Sequence, residues 1–150
     1  MKDITPDNIE TFVKLIEEAR HPVIVTHAKP DGDAIGSSAA MFHFLGLCGK
    51  KDRLIVLNDN CPRFLGFIID AVPQEALIIR EENQQKAFEA IGNADLIICL
   101  DFHAFHRTGN LEIALSESKA KKILIDHHLD PDRSLYDLAF SKNDISSASE

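Results

Sequence analysis

The sequence predicts an α/β domain built on a doubly wound, mostly parallel sheet with helices on both faces. Short apolar runs alternate along the chain with segments whose apolar residues recur at helical spacing. The apolar runs show no polar alternation, which is typical of strands covered on both faces. Alternation of strands and helices indicates βαβ units and a parallel sheet. The length of 150 residues suits one domain with a substantial core.

Six strands are predicted, each a run of apolar and often β-branched residues bounded by polar or turn residues. The third and the sixth are short, and a turn-rich segment at residues 58–62 follows the second. In chain order the predicted strands cover residues 22–27, 54–57, 77–79, 96–101, 123–126 and 138–141.

Helices are predicted between these strands. Thr5 has the side chain of an N-cap and Pro6 suits a first helical position, so the first helix begins there. After the first strand, a loop is expected as far as Asp33. The further helices are predicted at residues 34–47, 64–69, 81–91 and 110–118. Gly49 and Gly92 stand where the second and fourth helices should end, because glycine is favoured just past a helix C-terminus.

The charge balance and the cysteines limit the classes of function. A formal net charge of −8 argues against tight binding of long duplex nucleic acid. A short phosphorylated nucleotide or oligonucleotide remains a suitable partner, because bound divalent cations can reverse the local sign of the potential. No apolar run approaches the length of a membrane span, and three scattered cysteines fit a reducing compartment. We therefore expect a cytoplasmic protein without a membrane partner, with a homodimer as a possible assembly.

Residues that commonly bind metal ions follow three of the predicted strands. They are His27, Asp31 and Asp33 after the first, Asp101 after the fourth, and Asp126, His127 and His128 after the fifth. Because the carboxyl ends of parallel strands meet at one edge of a sheet, these side chains should converge. Nitrogen and carboxylate donors without thiolate favour Mn²⁺, with Mg²⁺, Fe²⁺, Co²⁺ or Zn²⁺ as alternatives. Two ions roughly 3.5–4 Å apart would activate water and clamp a phosphoryl group.

Each of these groups also has a structural interpretation. The segment from Pro30 to Asp33 is good turn chemistry, in which Gly32 lets the backbone come close or adopt a positive φ. A strand-end aspartate such as Asp101 is often a turn residue. The run 126–128 is harder to explain in this way, because ionisable groups at the end of a buried strand are costly unless they bind something. One of its histidines is expected to bind metal, while its neighbours orient it or contact substrate.

The loop after Asp101 contains further polar candidates. Arg107 could hold a phosphate or a carboxylate through two parallel hydrogen bonds, and His103 is close enough in sequence to reach the site. The alternative is a solvated surface loop, which is the favoured interpretation for His106.

These motifs, in this order and spacing, resemble the DHH family of phosphoesterases, named for a tripeptide seen here at residues 126–128. The first family motif is similar to His27-x-x-x-Asp31-Gly32-Asp33-Ala34, followed by Gly36-Ser37. The second is similar to Asp101 followed by Arg107-Thr108-Gly109. Residues 146–150 resemble the serine-rich element of the oligoribonuclease and pAp-phosphatase branch. The resemblance spans nearly the whole chain.

The resemblance implies a two-manganese hydrolase in which an activated hydroxide attacks a phosphoester or phosphoanhydride. The implied ligands are His27 and Asp31 for one ion, Asp33 and His127 for the other, and Asp101 as the bridge. Asp126 would support the ligands without binding metal. His128 would contact the substrate or its phosphate, and it would take part in catalysis together with Asp101.

The resemblance also implies parts beyond residue 150, namely a further metal-binding aspartate and a second, basic, glycine-rich domain that grips the substrate. We therefore expect residues 1–150 to form an incomplete DHH domain that is weakly active or inactive alone. Ser147-x-x-Glu150 is a capping-box pattern and predicts the start of a helix. The expected substrates are short oligoribonucleotides or 3′,5′-nucleoside bisphosphates such as pAp. Pyrophosphate or polyphosphate is the alternative within the same chemistry, and a non-catalytic, metal-binding fragment with a structural role is the alternative from another class.

Overall fold

A computed structural model describes residues 4–150 and shows a six-stranded sheet in which all neighbouring strands are parallel. The strands are β1 (Pro22–Thr26), β2 (Leu54–Leu57), β3 (Leu77–Ile79), β4 (Leu96–Leu100), β5 (Lys121–Asp126) and β6 (Leu138–Ser141). Their order across the sheet is β3-β2-β1-β4-β5-β6. The direction of winding reverses between β1 and β4, and doubly wound sheets bind ligands at the carboxyl ends of the strands at such a switch point.

Helices cover both faces of the sheet. They are α1 (Pro6–Glu18), α2 (Gly32–Leu47), α3 (Gly66–Ile69), α4 (Gln84–Asn93) and α5 (Glu112–Glu117). Successive strand residues point to opposite faces, so Ile24 packs with Phe42 of α2 in one core cluster. Its neighbour Val25 packs with Ile91 of α4 and Leu115 of α5 in the other. The predicted fold class is therefore confirmed, with helices on both faces of a wholly parallel sheet.

Several predicted boundaries are confirmed. The Thr5 hydroxyl accepts a hydrogen bond from Asn8 N–H at 3.2 Å, and Pro6 is the first residue of α1. Gly49 follows the C-terminal end of α2 with φ of 79°, the left-handed conformation in which glycine carries no steric penalty. The strands lie within two residues of their predicted limits at either end.

Several local predictions are wrong. The loop predicted as far as Asp33 ends earlier, because the Asp31 carboxylate accepts hydrogen bonds from the N–H groups of Asp33 (3.1 Å) and Ala34 (3.0 Å) and starts α2 at Gly32. Gly32 therefore lies in a helical turn and has no positive φ. Gly92 does not stop α4, since that helix continues to Asn93.

The last residues form turns, and no helix begins there within the described residues. The Glu150 carboxylate accepts hydrogen bonds from the Ser146 N–H (3.0 Å) and hydroxyl (2.8 Å), and the Glu150 N–H donates to the Ser147 carbonyl at 3.3 Å. The predicted 110–118 helix is a 3₁₀ segment at Phe105–Leu111 followed by the shorter α5. In the described part of the chain, no helix is long and apolar enough to cross a membrane.

Candidate metal centre

The candidate site lies where β1, β4 and β5 end side by side. Thr26 pairs with Leu100, and Leu100 pairs with Ile125, so the next residue of each strand reaches the same edge of the sheet. Those next residues are His27, Asp101 and Asp126. The alignment of the parallel strands therefore brings together groups that are far apart in sequence.

The first group of side chains consists of His27, Asp31 and Asp101. The His27 Nε2 atom lies 3.7 Å from Asp31 Oδ1 and 3.6 Å from Asp101 Oδ2. One ligand atom from each residue lies within 4.8 Å of the others, a spacing that one metal ion can span. A hydrogen bond to the Asp101 carboxylate is the largest influence on the pKa of His27 and, despite the opposing effect of burial, that pKa is raised. The electrostatic environment therefore favours a positive charge at this position.

The second group consists of Asp33, His127 and again Asp101. The His127 Nε2 atom lies 3.3 Å from Asp33 Oδ2 and 3.1 Å from Asp101 Oδ1. Asp101 thus presents one carboxylate oxygen to His127 and the other to His27. A carboxylate placed between two imidazoles in this way can bridge two metal ions.

Asp101 itself has two unusual features. It is a non-glycine residue with φ of 62°, a conformation held by its N–H bond to Ile125 O at 3.0 Å and often found at functional sites. The residue is only 2 % exposed, and its Oδ1 atom makes no hydrogen bond among the described residues. A buried carboxylate oxygen without a hydrogen bond is costly unless a ligand satisfies it. Together with a donor set of imidazole nitrogens and carboxylate oxygens, it fits a bound divalent cation.

Asp33 is also contacted by the serine-rich segment. Its Oδ2 atom accepts a hydrogen bond from Ala148 N–H at 2.7 Å, and its Oδ1 atom accepts one from the Ser149 hydroxyl at 3.2 Å. The segment therefore fixes the orientation of this carboxylate toward His127. The resemblance had singled out these residues, but no sequence signal identified Asp33 as their partner.

The other two residues of the tripeptide form a tight pair. His128 Nδ1 lies 2.7 Å from Asp126 Oδ1, and the Asp126 carboxylate is buried. Asp126 thus orients His128 rather than His127. His128 Nδ1 also lies 3.8 Å from Asp101 Oδ1, and Asp101, His127 and His128 form a second possible set of three metal donors.

The two residues predicted in the following loop lie in different surroundings. The ring centroid of His103 is 6.1 Å from that of His128, so His103 borders the site. The Arg107 side chain is exposed and, within the described residues, makes no ion pair or hydrogen bond with the cluster. Its backbone carbonyl instead accepts a hydrogen bond from Ala28 N–H at 2.7 Å, which connects this loop to the one that follows His27.

Gly109 and Asn58 hold that loop against β2. Gly109 has φ of 62°, and a Cβ atom built on it would lie 2.7 Å from Asn58 Nδ2. Asn58 is buried, and its Oδ1 atom accepts a hydrogen bond from Asn110 N–H at 3.1 Å. From the sequence, residues 58–62 were predicted only as a turn-rich segment. Asn58 could have been identified from its position just after β2, because this strand ends at the same edge of the sheet as β1.

Comparison with known proteins identifies the family of this chain. The family model described as "DHH family, N-terminal domain" matches residues 21–150, so the chain belongs to the DHH family. The clustered aspartate and histidine side chains of this domain include groups that could hold a metal ion.

A solved structure offers a second comparison. It is a crystal structure of an exopolyphosphatase-related protein from Bacteroides fragilis, similar to this chain with a TM-score of 0.89 and 35% sequence identity. The match covers 99% of this chain and 42% of that one, so this chain spans less than half the length of that protein. No curated protein matches.

Proposed function

We propose that this chain provides the metal-binding part of an Mn²⁺-dependent hydrolase that acts on short oligoribonucleotides or 3′,5′-nucleoside bisphosphates. The observation that carries the proposal is Asp101, a buried carboxylate with one oxygen toward His27 and the other toward His127. Among the described residues Oδ1 has no hydrogen-bond partner, so burying this carboxylate destabilises the fold unless a ligand such as a cation binds to it.

The roles of the remaining ligands follow from their positions. In this proposal His27 and Asp31 hold one ion, Asp33 and His127 hold the other, and Asp101 contacts both. Bound divalent ions would lower the pKa of water and neutralise charge on a phosphoryl group. Asp31 is suited to its role because the capped helix start fixes its carboxylate, and Asp33 because the serine-rich segment does the same.

His128 is the residue proposed to contact the substrate. Asp126 accepts a hydrogen bond from its Nδ1 atom, which fixes the ring and leaves Nε2 for a phosphoryl oxygen or a transferred proton. His103 borders this ring and is proposed to contribute to the same substrate pocket. Arg107 is proposed as a further phosphate contact, since its exposed guanidinium is free to turn toward a bound anion.

Pyrophosphate or polyphosphate is the second candidate substrate. Similarity to the exopolyphosphatase-related protein from Bacteroides fragilis favours it, and the geometry of the metal centre is compatible with cleavage of either a phosphoester or a phosphoanhydride. The two candidates differ in whether the substrate carries a nucleoside.

The test is a comparison of substrates in the presence of Mn²⁺. Both chain 1–150 and any longer protein that contains it would be assayed with pAp, a short oligoribonucleotide, pyrophosphate and polyphosphate. Asp101→Asn, which keeps the shape and removes the charge, is the matched inactive control. We expect hydrolysis of the nucleotide substrates. Cleavage of pyrophosphate or polyphosphate alone would favour the second candidate, and no hydrolysis by the longer protein with any divalent metal would refute a hydrolase.

A further inference from the structure

The carboxyl end of β2 contributes a carboxylate that the metal centre does not include. Asp59 Oδ2 accepts a hydrogen bond from Lys29 N–H at 2.6 Å, across thirty positions in the sequence. Lys29 lies in the loop between β1 and α2, two residues after His27. Among the described residues, Asp59 belongs to neither group that could hold a metal ion. Asp59 therefore contacts the backbone next to His27, a proposed metal ligand, rather than the metal centre itself.

The contacted backbone is the peptide group between Ala28 and Lys29. Its N–H donates to Asp59, while its C=O, the carbonyl of Ala28, lies 2.8 Å from His27 Nδ1. A carbonyl oxygen can only accept a hydrogen bond, so Nδ1 carries the ring proton in this contact. The N–H and C=O of one peptide lie in a single rigid plane, and fixing the direction of one therefore fixes the other.

This arrangement determines which nitrogen of His27 faces the metal centre. With the proton on Nδ1, the unprotonated nitrogen of the neutral ring is Nε2, the atom nearest Asp31 and Asp101. Metal-binding histidines use such an outer hydrogen bond to fix tautomer and ring orientation. A charged acceptor on the N–H side also polarises the peptide and strengthens the hydrogen bond at its carbonyl.

We propose that Asp59 is a positioning residue for His27, acting through the Ala28–Lys29 peptide to hold the ring with Nε2 directed at the metal centre. The inference rests on the proposed role of His27 as a metal ligand and is independent of the substrate. Asp59 would thus be a supporting carboxylate of the metal centre, and it lies outside the motifs that resemble those of the DHH family.

The conformation of the loop is consistent with this role. Lys29 has φ of 51°, a left-handed conformation that a long side chain rarely adopts and that persists only when the surroundings enforce it. The Asp59 bond holds one side of the loop, and the bond from Ala28 N–H to Arg107 O at 2.7 Å holds the other. The peptide that contacts His27 is therefore fixed from two directions.

The experiment compares Asp59→Ala and Asp59→Asn with Asp95→Ala as a matched control. The Asp95 carboxylate likewise accepts hydrogen bonds from backbone N–H groups, those of Arg20 (2.7 Å) and His21 (2.9 Å), but just before β4, at the opposite edge of the sheet. Two quantities would be measured: the ¹⁵N shifts of the His27 ring in the metal-free chain, at a pH where the ring is neutral, and the Mn²⁺ affinity by calorimetry.

We expect the Nδ1–H tautomer in the wild type and loss of that preference in Asp59→Ala. Mn²⁺ affinity should fall about 10–100-fold in the same variant, as for other outer hydrogen-bond partners of metal ligands. Asp59→Asn retains an oxygen acceptor and should restore the tautomer, and Asp95→Ala should change neither quantity.

Two results would overturn the inference. A wild type whose His27 is protonated on Nε2 would contradict it without any variant, so the test does not depend on Asp59→Ala folding. An unchanged tautomer in folded Asp59→Ala would also contradict it, even if Mn²⁺ binding weakened. A wild type with the expected tautomer but no Mn²⁺ binding would instead refute the proposed function and leave the contact with His27 supported.

Discussion

Replacing Gly109 with alanine should damage the metal centre without altering any proposed ligand. The residue has φ of 62°, and a new Cβ atom would lie 2.7 Å from Nδ2 and 3.0 Å from Cγ of Asn58. Because Asn58 is 5% exposed, it has little room to move. The loop would have to shift, and the carbonyl of Arg107 that accepts from Ala28 N–H would shift with it.

The magnitude follows from two contributions. Holding an L residue in this backbone conformation costs about 1–3 kcal/mol, and breaking the hydrogen bond between the buried Asn58 amide and Asn110 costs about 1 kcal/mol or more. The free energy of unfolding should therefore fall by about 2–4 kcal/mol. Mn²⁺ affinity should fall as well, because Ala28 lies next to His27.

Gly92→Ala is the matched control for this substitution. Gly92 lies inside α4, and a Cβ atom there would have nothing within 4 Å. Alanine reduces the conformational entropy of the unfolded chain, so the free energy of unfolding of this variant should rise by about 0.4–1 kcal/mol. Urea unfolding of both variants, followed by calorimetry with Mn²⁺, gives the comparison. A Gly109→Ala protein within about 0.5 kcal/mol of wild type would show that the loop does not depend on this contact.

Three further predictions concern charge, catalysis and metal occupancy. Burial opposes ionisation of Asp137, but hydrogen bonds from the Lys122 N–H and a neighbouring ammonium lower its pKa overall. The ionised Asp137 carboxylate should therefore stabilise the fold at pH values above its pKa in the unfolded chain. This stabilisation should be lost as the pH falls through the lowered pKa of the folded state. The Tm of Asp137→Asn should accordingly depend less on pH in the acid range than the Tm of wild type. His128→Ala should reduce turnover of any active protein that contains this chain more than it reduces Mn²⁺ affinity, and equal losses in kinetics and calorimetry would contradict a substrate role. The ion at Asp33 and His127 should bind more weakly than the other, because His27, Asp31 and Asp101 already place three ligand atoms within 4.8 Å of one another; anomalous scattering from Mn²⁺-soaked crystals that shows only the Asp33–His127 position filled would reverse the assignment.

The fold could be predicted because its signals are local and repeated. Each apolar run bounded by turn residues became a strand, and buried strands that alternate with helices leave few arrangements other than a parallel sheet. The errors occur where one side-chain contact outweighed the pattern. The Asp31 carboxylate capped α2 earlier than the apolar spacing indicated, and Gly92 was tolerated inside α4 because its position is exposed.

The candidate site was predictable for a different reason. Parallel strands that end in register bring His27, Asp101 and Asp126 to one edge, so strand ends alone locate the cluster. Residues whose partners are backbone groups distant in sequence could not be found in this way. Asp59 is an example, since its contact with Lys29 depends on how two loops meet. For Arg107 the sequence suggested a phosphate contact through the side chain. The structure shows a different contact, in which the Arg107 carbonyl accepts a hydrogen bond from the loop that follows His27.

The central claim is that Asp101 joins two metal sites, and Mn²⁺ calorimetry on Asp101→Asn tests it most directly. Asp31→Asn is the control, because Asp31 lies beside His27 and is proposed to serve one ion alone. Asp101→Asn should weaken both binding events together, whereas Asp31→Asn should weaken only one. If Asp101→Asn retained either site at wild-type affinity, Asp101 would not be a bridge, and the proposed two-metal centre would be contradicted.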